Sequence, residues 1–311
     1  MGSMIMRYRT LSQHSTVFLK MTGLRLGEFD QLVADVLPRF LEAERKRLER
    51  PDRQRALGGG RHSALDERDQ LLLTVVWLRQ YPTHAVLGYL FGVHPPTVGR
   101  YLEHWLPLLE QAGRDTMRMP DPGRKRRRSL DGLLAGTPEL AVVIDSFEQK
   151  IQRPKDQARR DRYYSGKKKT HTLKSQVAVD EDRGTIVDVS ASVPGPVADL
   201  KLLEQSKLLD RLPEGVGGLG DSAYQGIAKL HPLCASPRKK PWGKNKPRPP
   251  EDLLYNHAFA CRRIVVENTI NRLRRYQCLS QTDRQHRKNH AARVAAVAGL
   301  VNRQLAHRMA A

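Results

Sequence analysis

Apolar positions change their spacing partway along the chain, and that change divides it. In the first third they recur every three or four residues, the period of a helix with one buried face. Phe29, Leu32, Val33, Val36, Leu37 and Phe40 predict a helix from about Leu26 to Arg47. Leu71, Leu72, Val75, Val76 and Leu78 predict a second, which Ser63 and Asp66 would cap and Tyr81-Pro82-Thr83 would stop. A short helix over about 84–91 ends near Gly92, Val93-His94 turns the chain, and Pro95 or Pro96 opens a third helix carrying Val98, Tyr101, Leu102 and Trp105. From about residue 139 the pattern becomes mixed. Leu140–Ile144 is a short apolar strand, and Thr172–Val179 and Thr185–Val193 flank Asp180-Glu181-Asp182-Arg183-Gly184, a hairpin signal. An amphipathic helix over Asp199–Leu209, a strand at Val216–Leu219, a long helix over 251–276 and an Ala-rich helix over about 288–306 follow.

These elements predict four segments. Residues 20–60 form an N-terminal helical region, and Gly58-Gly59-Gly60 marks a connector near its end. Residues 61–113 form a compact helical unit whose order (helix, short helix, tight turn, helix) matches the helix-turn-helix plan or an ordinary three-helix bundle. In the first case Thr97 and Arg100, on the opening turn of the last helix, would meet base edges in a major groove, with Tyr101 and His104 beside them. Residues 114–138 are a linker with the basic run Arg124-Lys125-Arg126-Arg127-Arg128, and residues 139–308 are an α/β domain.

Charge sharpens this picture. The chain has 54 Lys and Arg against 33 Asp and Glu, a formal net charge of +21 over 311 residues. Such an excess favours a polyanionic partner, because each phosphate contact releases counterions. Cys234, Cys261 and Cys278 are scattered, with neither a zinc spacing nor a disulfide framework, so a reducing compartment is the simplest expectation. No apolar run approaches the roughly 20 residues of a membrane span, and the start, Met1-Gly2-Ser3-Met4, has no secretory pattern.

Against that positive background three acids stand out. Asp145 follows Ala141-Val142-Val143-Ile144, Asp221 follows Val216-Gly217-Gly218-Leu219-Gly220, and Glu267 lies inside the long helix. Oxygen ligands on separate elements suit hard divalent cations, and a cation pair can clamp the attacking and leaving oxygens of a phosphodiester. Arg263, Glu267, Ile270 and Arg274 fall near one helix face, where the arginines would grip phosphates or Arg263 would pair with Glu267 at the surface. Lys167, Lys169 and His171, read as alternate residues of a strand, and Lys174 after them, form a DNA-facing edge or a lysine-blunted one. The loop Arg238 to Arg248 places Trp242 among cations, able to stack on an unpaired base or to remain solvated.

Several pieces, in this order, carry a family resemblance: Val143-Ile144-Asp145, Ile151-Gln152-Arg153-Pro154, Tyr164-Ser165-Gly166-Lys167-Lys168-Lys169-Thr170-His171, Pro194-Gly195-Pro196 through Asp199, Gly220-Asp221-Ser222-Ala223-Tyr224-Gln225-Gly226, and Arg263 to Arg274 around Glu267. From about 20 to 305 the chain resembles DDE transposases of bacterial insertion sequences, in the insertion-sequence-5-type group related to the Harbinger nucleases. It departs from that pattern at Ala260, where relatives often have Tyr, at Arg274 for Lys, at Ser222-Ala223 for Lys-Gly, and at Ala198 for His. The resemblance implies an α/β, RNase H-like catalytic core, a mixed five-stranded sheet with flanking helices, behind an all-α helix-turn-helix region. It also implies two Mg²⁺ ions, with Mn²⁺ as substitute, about 3.5–4 Å apart and held by Asp145, Asp221 and Glu267. The expected partners are double-stranded DNA (transposon ends and target) and further copies of the chain, at least a dimer on DNA, in a bacterial cytoplasm near the nucleoid. Two other expectations stay open: a DNA nuclease without strand transfer, and a transposase-derived, non-catalytic DNA-binding protein.

Overall fold

The computed structural model describes residues 6–49, 63–123, 137–240 and 247–310. The Gly58–Gly60 connector, the basic run at 124–128 and Trp242 lie outside the described residues. In chain order the helices and strands are α1 (Tyr8–Leu11), α2 (Ser15–Thr22), α3 (Leu26–Leu48), α4 (Glu67–Gln80), α5 (His84–Phe91), α6 (Pro95–Arg114), β1 (Leu140–Lys150), α7 (Gln157–Tyr163), β2 (Tyr164–Ser165), β3 (Thr170–Asp180), β4 (Ile186–Val189), β5 (Val193–Pro194), α8 (Asp199–Ser206), β6 (Val216–Leu219), α9 (Ile227–Leu230), β7 (Cys234–Ala235), α10 (Pro250–Arg274), α11 (Gln277–Ser280) and α12 (His290–Ala310). They fall into two compact units. One holds residues 1–115, 274–281 and 292–311, and the other 116–273 and 282–291.

The first unit is helical. Phe40 of α3 stacks on Trp105 of α6 with ring centroids 4.3 Å apart, and the buried Trp105 Nε1–H donates to Gln70 Oε1 of α4 at 3.2 Å. A large ring is thus buried with its one polar atom satisfied. Asp66 caps α4 by accepting from the Asp69 N–H, and Thr83 caps α5 by accepting from the Val86 N–H. Gly92 ends α5 in the left-handed conformation, φ +66°, which turns the chain into α6 within three residues. Ser63 does not cap α4; its hydroxyl bonds the Tyr101 hydroxyl at 2.7 Å.

The second unit is built on one mixed sheet. Among the described residues it has seven strands where five were expected: four longer ones, β1, β3, β4 and β6, and three two-residue additions, β2, β5 and β7. β3 gives one edge to β1, antiparallel, and the other in turn to β2, β5 and β4. On its far side β1 pairs in parallel with β6, and β6 with β7. The first strand is twice as long as its apolar run suggests. Its second half, through Lys150, is polar yet still paired with β3, so hydrogen bonding rather than hydrophobicity sustains it. The hairpin is where the pattern places it, with the Asp180 carboxylate accepting from the N–H groups of Asp182 and Arg183 and Gly184 at φ +68°. α8 stops at Ser206, short of the expected Leu209, because Lys207 turns left-handed.

One core cluster packs Val142, Ile144, Ala178 and Val216 of the sheet against Leu203 of α8, Tyr224 and Ile227 of α9. α10 is fixed by polar contacts. The buried Arg262 guanidinium donates to both Glu181 oxygens at 2.6 and 2.5 Å, to Thr137 Oγ1 at 2.9 Å and to the Pro138 carbonyl at 2.9 Å. Farther along the helix, Thr269 Oγ1 donates to the Gly184 carbonyl at 3.2 Å.

Removing one member of a buried, hydrogen-bonded pair strands the other charge, at a cost of about 3–5 kcal/mol. Arg262→Met should therefore destabilise this unit by that order in denaturant unfolding, and the double variant Glu181→Leu/Arg262→Met should recover part of the loss. Equal stability of the single variant and the wild type would contradict the role given to the pair.

Candidate active site

The site begins where the parallel ladder ends. The last paired residues of β1 and β6 are Val143 and Leu219, and β1 then runs on against β3 alone. Asp145 and Asp221 each stand two residues beyond that pair, so the register sets them side by side on neighbouring strand lines, which are about 4.8 Å apart in a sheet. Asp145 is therefore inside β1 rather than at its end, and what ends there is its neighbour. Gly220 makes the turn into Asp221 feasible, since a Cβ there would stand 2.5 Å from the Cβ of Tyr224. The Asp221 carboxylate accepts from the Ala223 N–H at 2.8 Å, which fixes its direction.

Asp145 has one oxygen on the Ser146 N–H at 2.7 Å and the other on the Arg263 guanidinium at 3.2 Å. Burial pushes its carboxyl up to about 6, opposed by the Ser146 N–H and Arg263 and assisted by the negative charges of Asp221 and Asp199. Arg263 comes from α10, whose rotation the Arg262 contacts set. Glu267 lies one turn farther along, on the same stripe as Arg263, and is exposed. Helical Cα–Cβ bonds tilt toward the N-terminus, so its side chain leans back over the Arg263 turn. Among the described residues no three acids, histidines or cysteines stand close enough together to hold an ion. Two carboxylates converge, and the third is carried on the adjacent helix stripe.

Behind Asp145 lies a polar network that the sequence reading missed. Ser146 Oγ donates to Asp199 Oδ1 at 2.6 Å, and the Lys174 ammonium bonds the same carboxylate at 3.0 Å and the Val197 carbonyl at 2.6 Å. Gln176 of β3 donates to the Tyr224 hydroxyl at 2.8 Å. Burial and the nearby Asp199 hold that phenol protonated well above its ordinary range. Asp199 reads in sequence as a helix first-turn acid. Lys174 lies in a polar stretch, Thr170 to Gln176, broken only by Leu173, so the sequence carries no signal of its buried counter-charge.

The other expected contact residues scatter. Lys174 is buried in this ion pair, not on a DNA-facing edge. Lys167 and Lys169 lie on the exposed turn between β2 and β3, so they do not alternate on a strand, and Lys169 has φ +52°. His171 sits on β3, half-buried and edge-on to Tyr164 at 5.6 Å. Arg274 groups with the helical unit. On α6, Arg100 is exposed and donates to Thr97 Oγ1 at 3.2 Å, His104 is exposed, and Tyr101 is buried. No described helix is long and apolar enough to cross a membrane.

Comparison with known proteins places these features in a family. Residues 144–302 match the DDE superfamily endonuclease model, and residues 63–115 match the helix-turn-helix of DDE superfamily endonucleases. The chain is 29% identical over 289 residues to the "Probable transposase for insertion sequence element IS702" of Microchaete diplosiphon, covering 93% of this chain and 94% of that protein. It is 30% identical over 151 residues to "Putative nuclease HARBI1" of Rattus norvegicus, covering 47% of this chain and 39% of that protein. The Homo sapiens protein of the same name is 24% identical over 226 residues, covering 70% of this chain and 61% of its own length. No solved structure matches. The sheet, the paired aspartates and the family match over the domain that holds them agree: the chain belongs to the DDE superfamily endonucleases, with an RNase H-like α/β domain and a helix-turn-helix region before it.

Proposed function

We propose that this protein is an insertion-sequence transposase that binds the ends of its element, nicks them with Mg²⁺ and joins the freed 3′ ends to target DNA. The observation that carries this is the side-by-side register of Asp145 and Asp221, with Arg263 and Glu267 on a helix clamped beside them. The match to a transposase over nearly the whole of both chains supports it. The family acts with divalent metal, and the donors here fit such an ion. They are all oxygen, and burial disfavours the ionised Asp145, with Asp221 and Asp199 adding to that, a cost that a bound cation would offset.

Asp145, Asp221 and Glu267 are the residues that would hold the ions. When bound, these supply an activated water or 3′-hydroxyl and stabilise the leaving oxygen. The rest falls to the chain. Ser146 and the Lys174–Asp199 pair hold the β1 backbone beside Asp145. Arg263, already at the aspartate, can transfer its free donors to a phosphate oxygen. No protein nucleophile is needed. Thr97 and Arg100 at the start of α6 would read element ends, while Lys167, Lys169 and His171 would lie along the DNA backbone. Joining two ends calls for at least a dimer on DNA. The setting would be a bacterial cytoplasm, at the nucleoid. A nuclease without strand transfer is the second reading, favoured by the match to proteins named as nucleases.

Asp145→Asn, Asp221→Asn and Glu267→Gln should each lower Mg²⁺-dependent nicking by a factor of at least about a thousand while DNA binding persists, a loss of more than about 4 kcal/mol of barrier lowering. Denaturing gels on duplexes copied from the DNA flanking the reading frame would show it, and joined products would separate a transposase from a simple nuclease.

The raised Asp145 carboxyl gives a pH signature. A cation needs the ionised form, so Mn²⁺ affinity should fall as pH drops below about 6. Without metal, its favourable protonated state stabilises the fold at low pH, and that contribution is lost as pH rises through about 6. Asp145→Asn should accordingly raise the Tm of the metal-free protein at pH 7.5 more than at pH 5. The same Tm gain at both pH values would refute the burial account.

Arg100→Ala should weaken binding to element-end DNA by about 1–3 kcal/mol more than binding to mixed-sequence DNA. Equal losses in competition binding would remove Arg100 from base readout.

A further inference from the structure

We infer that a basic cleft beside Asp221, between the segment after β7 and α10, is a groove for the phosphodiester backbone of the strand that is cut. This rests on the reading of the acids as a phosphodiester-cleaving centre and adds where the strand runs. The cleft has a volume of about 500 Å³ and is lined by Arg238, Lys239, Lys240, Arg248 and Arg263, with Asp221 the one acid among its lining residues. Arg238 pairs with Asp252 and Arg263 with Asp145, and the remaining three cations, Lys239, Lys240 and Arg248, leave the cleft with an excess of positive charge that an anionic occupant would offset.

The groove is built rather than incidental. The Arg238 backbone N–H donates to Asn256 Oδ1 at 2.8 Å, and Asn256 Nδ2 returns a bond to the Arg238 carbonyl at 3.1 Å. The Arg238 guanidinium bonds Asp252 at 3.0 Å and lies over the Tyr255 ring at 4.2 Å. These contacts rivet the segment to α10, so that the exposed Lys239 and Lys240 project from a fixed root. Phosphate oxygens match the fork geometry of the guanidinium groups of Arg248 and Arg263 that line the cleft. Arg263 lines the cleft while bonding Asp145, which joins the groove to the catalytic aspartates. Backbone contacts position a strand without reading its bases. A pocket-sized cleft also suits one strand rather than a whole duplex.

The full-length variant Lys239→Gln/Lys240→Gln/Arg248→Gln tests this, with Asp145→Asn beside it and Tm as the check on folding. Anisotropy with a mixed-sequence duplex across about 50–200 mM salt should show a log K against log salt slope smaller by about two to three, near 0.9 per lost phosphate contact. In single-turnover nicking, the DNA concentration for half-maximal rate should rise at least tenfold, with the saturating rate within about threefold of wild type. Methylphosphonates beside the cut on the nicked strand should weaken the wild type more than the triple variant, which keeps only Arg238 and Arg263 of the groove cations. A wild-type salt slope and half-saturation in the triple variant would overturn the groove, as would methylphosphonate sensitivity confined to the opposite strand. Undiminished nicking by Asp145→Asn would overturn the catalytic reading instead, and the salt slope would still judge the groove on its own.

Discussion

Everything in the catalytic unit that depends on α10 depends first on Arg262. A 25-residue helix laid on a sheet by apolar contacts alone can slide or roll by a residue. The buried guanidinium prevents that by meeting two carboxylate oxygens, one hydroxyl and one carbonyl at once. Burying such a pair gains little net free energy, because desolvation opposes the Coulomb attraction. What it supplies is position. With Arg262 facing the β3–β4 turn, Arg263 must face Asp145, and Glu267 one turn on must lie on the same stripe.

The sheet supplies the opposite half of the site. Parallel pairing of β1 with β6 ends two residues before the aspartates, so both carboxylates emerge where one strand has lost its neighbour. Burial raises the Asp145 carboxyl, and the negative charges of Asp221 and Asp199 add to that. Such frustration is common where groups are arranged for binding an ion rather than for stability. Arg263 offsets part of it, and the same residue opens onto the basic cleft beside Asp221.

Much of this was legible in the sequence, and the misses share a cause. Helices α3 to α6 announced themselves through spacing and turn signals, because Leu71, Val75 and Leu78 or Val98, Leu102 and Trp105 repeat with the helix period, while the short α1 and α2 before residue 23 went unread. Asp145 and Asp221 stood out as acids closing apolar runs. Features set by tertiary pairing were hidden. The polar half of β1 gives no hydrophobic signal, and Lys174 looks like a DNA contact until Asp199 is found against it. Glu181 reads as a turn acid until Arg262, 81 residues later, closes on it. Lys167 and Lys169 looked like strand positions because the two-residue β2 leaves no periodicity to show where the turn lies.

The account stands or falls on whether these acids share a cation. Crystals soaked in Mn²⁺ and measured by anomalous diffraction test that directly. The predicted result is anomalous density between Asp145 and Asp221, with a Glu267 oxygen within coordination distance of a manganese ion, about 2.2 Å, and Arg263 withdrawn toward the basic cleft. Density elsewhere, or an unchanged Asp145–Arg263 pair with Mn²⁺ absent at saturating concentration, would contradict it.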